Sequence, residues 1–233
     1  MKLGLENPEI SVIIPAFRAA AYLATALASA TGQTGVSLEI VVVDDGSPED
    51  LAPIVNAASQ PVRLIRQAHR GVAAARNTGF EATTAPYLAF LDADDLWCPG
   101  ALACMLAAAR ADGDARIIHG RAQVFLDDGE QQAGKRELSP PHHFLSLGSM
   151  LLTRRQIELV EGFREEMAYG EDSDLVARLG QAGVGRHMID DVIQHVRRGI
   201  DGLSRRSGLA AQQQAWLQIA RKLAETNRRR RSR

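Results

Sequence analysis

Short runs rich in β-branched residues alternate with Ala/Leu-rich segments along most of this chain, and that alternation limits its fold more tightly than any other feature. "EISVIIPAF" (9–17), "LEIVVVDDGSPED" (38–50), "PVRLIRQ" (61–67) and "PYLAFLDADD" (86–95) read as strands, the first two suited to burial on both faces. Segments 19–33, 71–85 and 99–112 read as helices, with Gly32 as the stop of the first. A strand–helix period of about 30 residues argues for right-handed βαβ units. The expected class is α/β, with a mainly parallel central sheet flanked by helices. Further on, 115–130 reads as strands, 148–163 as a strand and then a helix, 171–183 as a capped amphipathic helix and 185–197 as a strand. Residues 208–226 read as a terminal helix. Ser47 is expected to cap the helix after the second strand, with Pro48 at its first position.

At 233 residues, with 45% apolar and 24% charged side chains, the chain suits one soluble domain, and no clear linker divides it. The polar, Pro-bearing stretch 128–144 is expected to be a loop that moves with substrate. No run is long and apolar enough to span a bilayer, and "MKLGLENPEISVIIP" lacks a secretory h-region, so a cytoplasmic location is expected. Two cysteines, Cys98 and Cys104, suit thiols in a reducing compartment and are too few for a zinc site. Net charge is −1 but uneven: residues 221–233 carry +6 and the remainder −7. The tail "RRRRSR" is either a solvated appendage or a contact for anionic lipid head groups at the inner face of the membrane. No basic-and-aromatic pattern supports nucleic-acid binding. Leu209, Trp216, Leu217 and Ile219 would pack on the body or on a second subunit, so an oligomer is allowed.

Acids gather where the second and fourth strands end, the edge at which open α/β sheets bind ligands. "FLDADDLWCPGAL" places Asp92, Asp94 and Asp95 within four positions, a costly arrangement unless something offsets the repulsion. If the chain stays extended, Asp92 and Asp94 share a face and suit Mg²⁺ or Mn²⁺ shared with a phosphate. Taken alone, the same acids are equally explained as a turn, with Asp95 capping a helix. Asp44-Asp45-Gly46-Ser47 suits hydrogen bonding to a base or ribose, with Gly46 allowing a ligand close, or else an ordinary turn. Neither a G-x-G-x-x-G after the first strand nor a Walker pattern is present.

In this order, "SVIIPAF", "EIVVVDDGSPED", "GVAAARNTGFEAT", "YLAFLDADDLWCPGAL" and "GEDSDLVARLGQAG" resemble the nucleotide-sugar-dependent glycosyltransferases of family 2, with the GT-A fold, over roughly residues 9–200. The resemblance implies a GT-A domain at 1–207, with a nucleotide-binding half at about 9–127 and an acceptor half at about 128–207, followed by a C-terminal helix and basic tail at 208–233. It implies that Asp45 reads the nucleobase, usually uracil, beside Pro15 and Phe17, and that Arg76 reaches the base or diphosphate. Asp92-Ala93-Asp94 matches the D-x-D, with Asp92 toward ribose or sugar and Asp94 on a metal, Mn²⁺ or Mg²⁺, that bridges the diphosphate. Gly148 and Ser149 would line the sugar pocket. Glu171 would sit beside the catalytic base, Asp172, which takes the acceptor proton in an inverting transfer; the pair equally suits a helix N-terminus. Where the family often has an aromatic residue, this chain has Ser173, pointing to a smaller or more polar acceptor pocket. His195 would approach the diphosphate or complete the metal site, with Arg197, Arg198 and Ser204 as phosphate clamps. The loops 128–147 and 197–207 would order over the donor.

The implied reaction moves a sugar from a UDP-sugar to the hydroxyl of a carbohydrate, lipid-linked or other acceptor. Two competing readings are a nucleotidyltransferase, whose usual Gly-rich phosphate loop is missing from "VIIPAFRAAAY", and a non-catalytic nucleotide-sugar-binding protein of the same fold.

Overall fold

A computed structural model describes residues 7–126, 136–137, 139–167 and 169–198. The first half builds β1 (Ile10–Ala16), α1 (Leu23–Thr31), β2 (Leu38–Asp44), α2 (Ala52–Asn56), β3 (Val62–Arg66), α3 (Val72–Glu81), β4 (Tyr87–Phe90), β5 (Leu96–Trp97), α4 (Ala101–Ala111) and β6 (Ile117–Leu126). The second half adds β7 (Arg136–Glu137), a single 3₁₀ turn at Leu147–Ser149, β8 (Met150–Thr153), α5 (Arg154–Leu159), α6 (Glu171–Gln181) and β9 (Arg186–Arg198). The expected terminal helix, the basic tail, Ser204, residues 128–135 and 138 of the first expected donor loop and 199–207 of the second lie outside the described residues.

One sheet runs β3-β2-β1-β4-β8-β6-β9-β5, with β7 on β6. Strands β3, β2, β1 and β4 are parallel, as the alternation requires. From β8 onward the sheet is mixed: β8 is antiparallel to β4 and β6, β5 is antiparallel to β9, and β6 is parallel to β9. The uninterrupted parallel run is therefore β3-β2-β1-β4, and later strands extend the same sheet in mixed directions. Strand alternation divides the core. Val12 and Ile14 pack with Leu23, Leu27, Leu102 and Met105 on one face, while Ile13, Val41 and Val43 pack with Ala73, Phe90, Leu175 and Leu179 on the other. Helices α1 and α4 thus cover one side, and α3 and α6 the other.

The chain leaves β2 toward β3 on one side of β1 and returns to β4 on the other side. The carboxyl ends of β1 and β4 therefore flank the switch point of the sheet, where a cleft opens in folds of this kind. Phe17 follows β1, Asp45 follows β2, and Asp92 to Asp95 follow β4.

Two local expectations are corrected. Ser47 does not cap α2, which starts at Ala52 behind Leu51 with no side-chain cap and a Pro in its first turn. Its N–H donates to Asp44 Oδ1 (2.8 Å) and its Oγ accepts from the Arg18 N–H (3.0 Å), so it closes the β2 turn onto the end of β1. Asp95 does not cap α4, whose N-cap is Gly100.

Candidate active site

Asp95 is buried, and its partners come from β9. Oδ2 accepts from Gln194 Nε2 (2.6 Å) and Oδ1 from the Arg197 N–H (2.8 Å), while Arg197 Nε donates to the Asp94 carbonyl (2.7 Å). The short pairing of β5 with β9 sets Trp97 opposite Gln194 and fixes this register. Burial, with Asp94 and Asp92 nearby, drives the Asp95 carboxyl well above its ordinary range, although the two hydrogen bonds pull the other way. Burial and Asp92 also push Asp94 up to about 6, with Arg197 opposing. Ala93 is buried between them. The like charges that make this stretch costly are thus partly relieved by one β9 clamp, and Asp95 is the structural member of the group.

Gly148 and Ser149 lie beneath the clamp. A Cβ on Gly148 would come within 2.3 Å of Gln194 Nε2, so only glycine leaves that amide in place. The Gly148 carbonyl accepts from Trp97 Nε1 (2.6 Å), and Ser146 Oγ donates to Gln194 Oε1 (2.7 Å). Ser149 is fully buried, its Oγ turned back to the Ser146 carbonyl (2.9 Å). Both residues support the acidic turn from behind.

Arg76 joins the two halves. The Ala-rich helix α3 lies on the sheet with Ala73, Ala74 and Ala75 buried, which carries Arg76 inward until only 3% of it is exposed. Nη2 donates to Asp92 Oδ1 (2.8 Å), Nη1 donates to Glu171 Oε1, and Nε has no partner among the described residues. The guanidinium also lies 5.6 Å from the centroid of Phe163. Burial works against its charge, but Asp92, Glu171 and Asp172 outweigh that and raise its pKa further. The structure therefore sets Arg76 between two carboxylates, rather than pointing at a base.

Glu171 and Asp172 open α6 behind Gly170, in the first turn where the helix dipole favours negative charge. Burial first, and then Glu171, raise the Asp172 carboxyl to about 6, while Arg76 and the Ser173 N–H restrain the rise. Asp172 Oδ1 accepts from that N–H at 2.6 Å. A carboxylate with this pKa is well matched to accepting a proton near neutral pH.

Asp45 stands apart from this pair. It is buried, and both oxygens accept from the 67–71 loop: Oδ1 from Gln67 Nε2 (2.7 Å) and the Arg70 N–H (2.9 Å), Oδ2 from the Gly71 N–H (2.8 Å), while His69 Nδ1 lies 2.8 Å from Oδ2 and hydrogen-bonds the Asp45 carbonyl at 3.1 Å. His69 in turn stacks on Phe17 with centroids 4.1 Å apart and planes at 18°. Gly46 permits the loop's approach, since a Cβ there would lie 2.9 Å from the His69 nitrogen. The close approach expected for a ligand is thus made by backbone. Pro15 is buried in β1 opposite Val43.

His195 faces Leu96 and Gln123 across the β9 ladders, with its ring 6.2 Å from Phe125. By alternation it shares a side of β9 with Arg197, which reaches the Asp94 carbonyl. Among the described residues, no group of three or more His, Cys, Asp or Glu side chains is assembled to hold a metal. Cys98 and Cys104 form no disulfide. No helix among the described residues is long and apolar enough to cross a membrane.

The structure thus unites Arg76, Asp92, Glu171 and Asp172, ties Asp94 and Asp95 to Gln194 and Arg197, and groups Asp45 with Phe17. Sequence reading missed His69, Gln194, Trp97 and Asn77. Asn77 holds the loop before α6, donating to the Phe163 carbonyl (2.8 Å) and accepting from its N–H (2.9 Å). An uncharged amide in "RNTGFE" carries no signal of a partner 86 residues away.

A half-sheet ordered β3-β2-β1-β4, with acids beyond its carboxyl ends and a third acidic pair opening a helix on the mixed half, defines a GT-A-like α/β domain. The chain belongs to glycosyl transferase family 2, whose model matches residues 11–166. It is 28% identical to chondroitin synthase of Escherichia coli over 195 residues, covering 78% of this chain and 28% of that protein. It is 30% identical over 217 residues to the succinoglycan biosynthesis protein ExoO of Rhizobium meliloti, covering 82% and 62%. The S. aureus TarS 1–349 structure in complex with UDP-GlcNAc shares the fold, with a TM-score of 0.68 and 18% identity over 86% of this chain and 61% of that one. The chain thus spans less than two thirds of the length of each.

Proposed function

We propose that this chain is an inverting glycosyltransferase that moves a sugar from a UDP-sugar to an acceptor hydroxyl. The observation that carries the reading is geometric: Arg76 joins Asp92, beyond β4, to Glu171, which sets Asp172 beside it at the mouth of α6. Asp172 accepts the acceptor's proton as that oxygen attacks the anomeric carbon, opposite the departing diphosphate. Arg76 holds Asp92 in place toward the ribose or sugar and keeps Asp172 ionised near neutral pH. Asp45 and Phe17 receive the base, and Gly148 and Ser149 shape the floor of the sugar site. TarS, solved with UDP-GlcNAc, supports a UDP-sugar donor.

The donor set fits a hard divalent cation. Asp94 is a half-buried carboxylate raised by burial and then by Asp92, the kind of group a cation relieves, and Mg²⁺ or Mn²⁺ usually takes one or two carboxylates plus substrate phosphates. Asp94, with His195 as a second donor, would hold it; when bound it neutralises charge on the leaving diphosphate.

The test is UDP release from a panel of UDP-sugars with acceptor hydroxyls, comparing wild type with Asp172→Asn. The variant should lose transfer while still binding UDP, and retained turnover would remove Asp172 from the base role.

A further inference from the structure

The Asp45 carboxylate accepts three hydrogen bonds and meets a fourth neighbour, the His69 imidazole, which is held differently. Two come from the backbone N–H groups of Arg70 and Gly71, which the chain holds in place. A third comes from Gln67 Nε2, whose Oε1 is itself fixed by Thr78 Oγ1 at 2.6 Å. The remaining side of Oδ2 is crowded by His69 Nδ1, 2.8 Å away, on a side chain that is 56% exposed and can leave by rotation while its backbone stays packed on Gly46. Nδ1 lies 2.8 Å from Asp45 Oδ2 and 3.1 Å from the Asp45 carbonyl, both acceptors, so it carries the hydrogen.

The imidazole thus offers Asp45 a ring N–H and offers Phe17 a flat aromatic face in direct contact. A nucleobase bearing a ring N–H, as uracil does, would need the same position against Asp45 Oδ2 and the same face of Phe17. At a centroid separation of 4.1 Å no base fits between His69 and Phe17. We infer that His69 is a place-holder for the nucleobase: it occupies Asp45 and Phe17 in the empty protein and swings out when a nucleoside diphosphate enters.

The inference rests on the donor reading of Asp45 and Phe17 given above and adds a residue that limits donor affinity. Three anchored donors keep the 67–71 loop on Asp45 when His69 leaves, so its removal opens the site without releasing the loop. Stacking and a hydrogen bond to an exposed imidazole are each modest interactions, so the competition they impose is a matter of several-fold.

Titration calorimetry with UDP on wild type and His69→Ala tests this. The variant should bind UDP at least about threefold tighter. In wild type, UDP should also shift the His69 ring-proton NMR signal downfield as the imidazole leaves the Phe17 face, a readout that needs no variant. A smaller gain, weaker binding or an unmoved His69 signal in a wild type that does bind UDP overturns the place-holder and makes His69 a fixed wall of the site. No UDP binding by either protein overturns the donor reading instead.

Discussion

Arg76 and Glu171, 95 residues apart in sequence, meet in a buried ion pair that fastens α3 to the start of α6. The same guanidinium holds Asp92, so one cation spans the carboxylate proposed for the donor and the helix that carries the proposed base. Breaking a buried pair by removing one partner leaves a stranded charge, which typically costs about 3–5 kcal/mol. Arg76→Met should therefore lower the stability by an amount in that range, read by urea denaturation. Arg76→Lys should recover part of it and less of the activity, because an ammonium does not reproduce the planar fork between Asp92 and Glu171.

The pH dependence follows from Asp172. As a base it must be ionised, so transfer should rise with pH through about 6 and level off above it. Stability moves the other way. A folded pKa above the unfolded value favours the protonated form, so the contribution is full below about 4 and is lost as pH rises through about 6. Asp172→Asn should therefore stabilise the fold at pH 7.5 by on the order of 1 kcal/mol, a figure reduced for the partial exposure of the side chain, with little effect at pH 4. Thermal melts at the two pH values, beside a pH–rate profile, check both signs. Removing Arg76, which restrains the rise, should move the kinetic limb to higher pH.

The framework was legible because strands buried on both faces must be apolar runs: β1, β2 and β4 begin within one residue of where they were expected, although β4 ends at Phe90 and the acids expected to extend it lie in a turn. What one sequence hides is the partner. Asp95 read as a helix cap because turns favour Asp, yet its real partner, Gln194, lies 99 residues away on a strand that sequence order does not set beside it. Arg76 read as a cation reaching the base or diphosphate of a ligand. The run Ala73 to Ala75 was the available signal, since three small residues before an arginine allow a helix to lie close on a sheet. Ser47 misled for another reason: β-turn and N-cap chemistry use the same residue types.

The Gln194 clamp should be sensitive to small changes. Gln194→Leu removes the donor to Asp95 and the acceptor for Ser146, leaving a buried carboxyl short of a partner at about 1–3 kcal/mol. Gly148→Ala pushes a methyl into the same amide and should be comparably destabilising. Both variants should lose activity through the displaced acidic turn, and a crystal structure of either should show Asp94 moved. Unchanged melting temperatures would mean that the clamp does not hold the turn.

Metal dependence separates the acids of the turn by role. Asp94 is the one set to hold a cation, whereas Asp95 is committed to Gln194 and the Arg197 N–H, and Asp92 to Arg76. In wild type, Mn²⁺ should tighten UDP binding, and EDTA should abolish transfer. Asp94→Asn keeps the size of the side chain but removes the charge a hard cation needs, so UDP affinity in the variant should no longer respond to Mn²⁺. Asp95→Asn should instead melt earlier yet keep its Mn²⁺ response, because its amide retains one acceptor but sets an N–H₂ against a donor from β9. Calorimetry of UDP with and without Mn²⁺, run on both variants, distinguishes the two. A metal response that survives in Asp94→Asn and vanishes in Asp95→Asn would reverse the assignment.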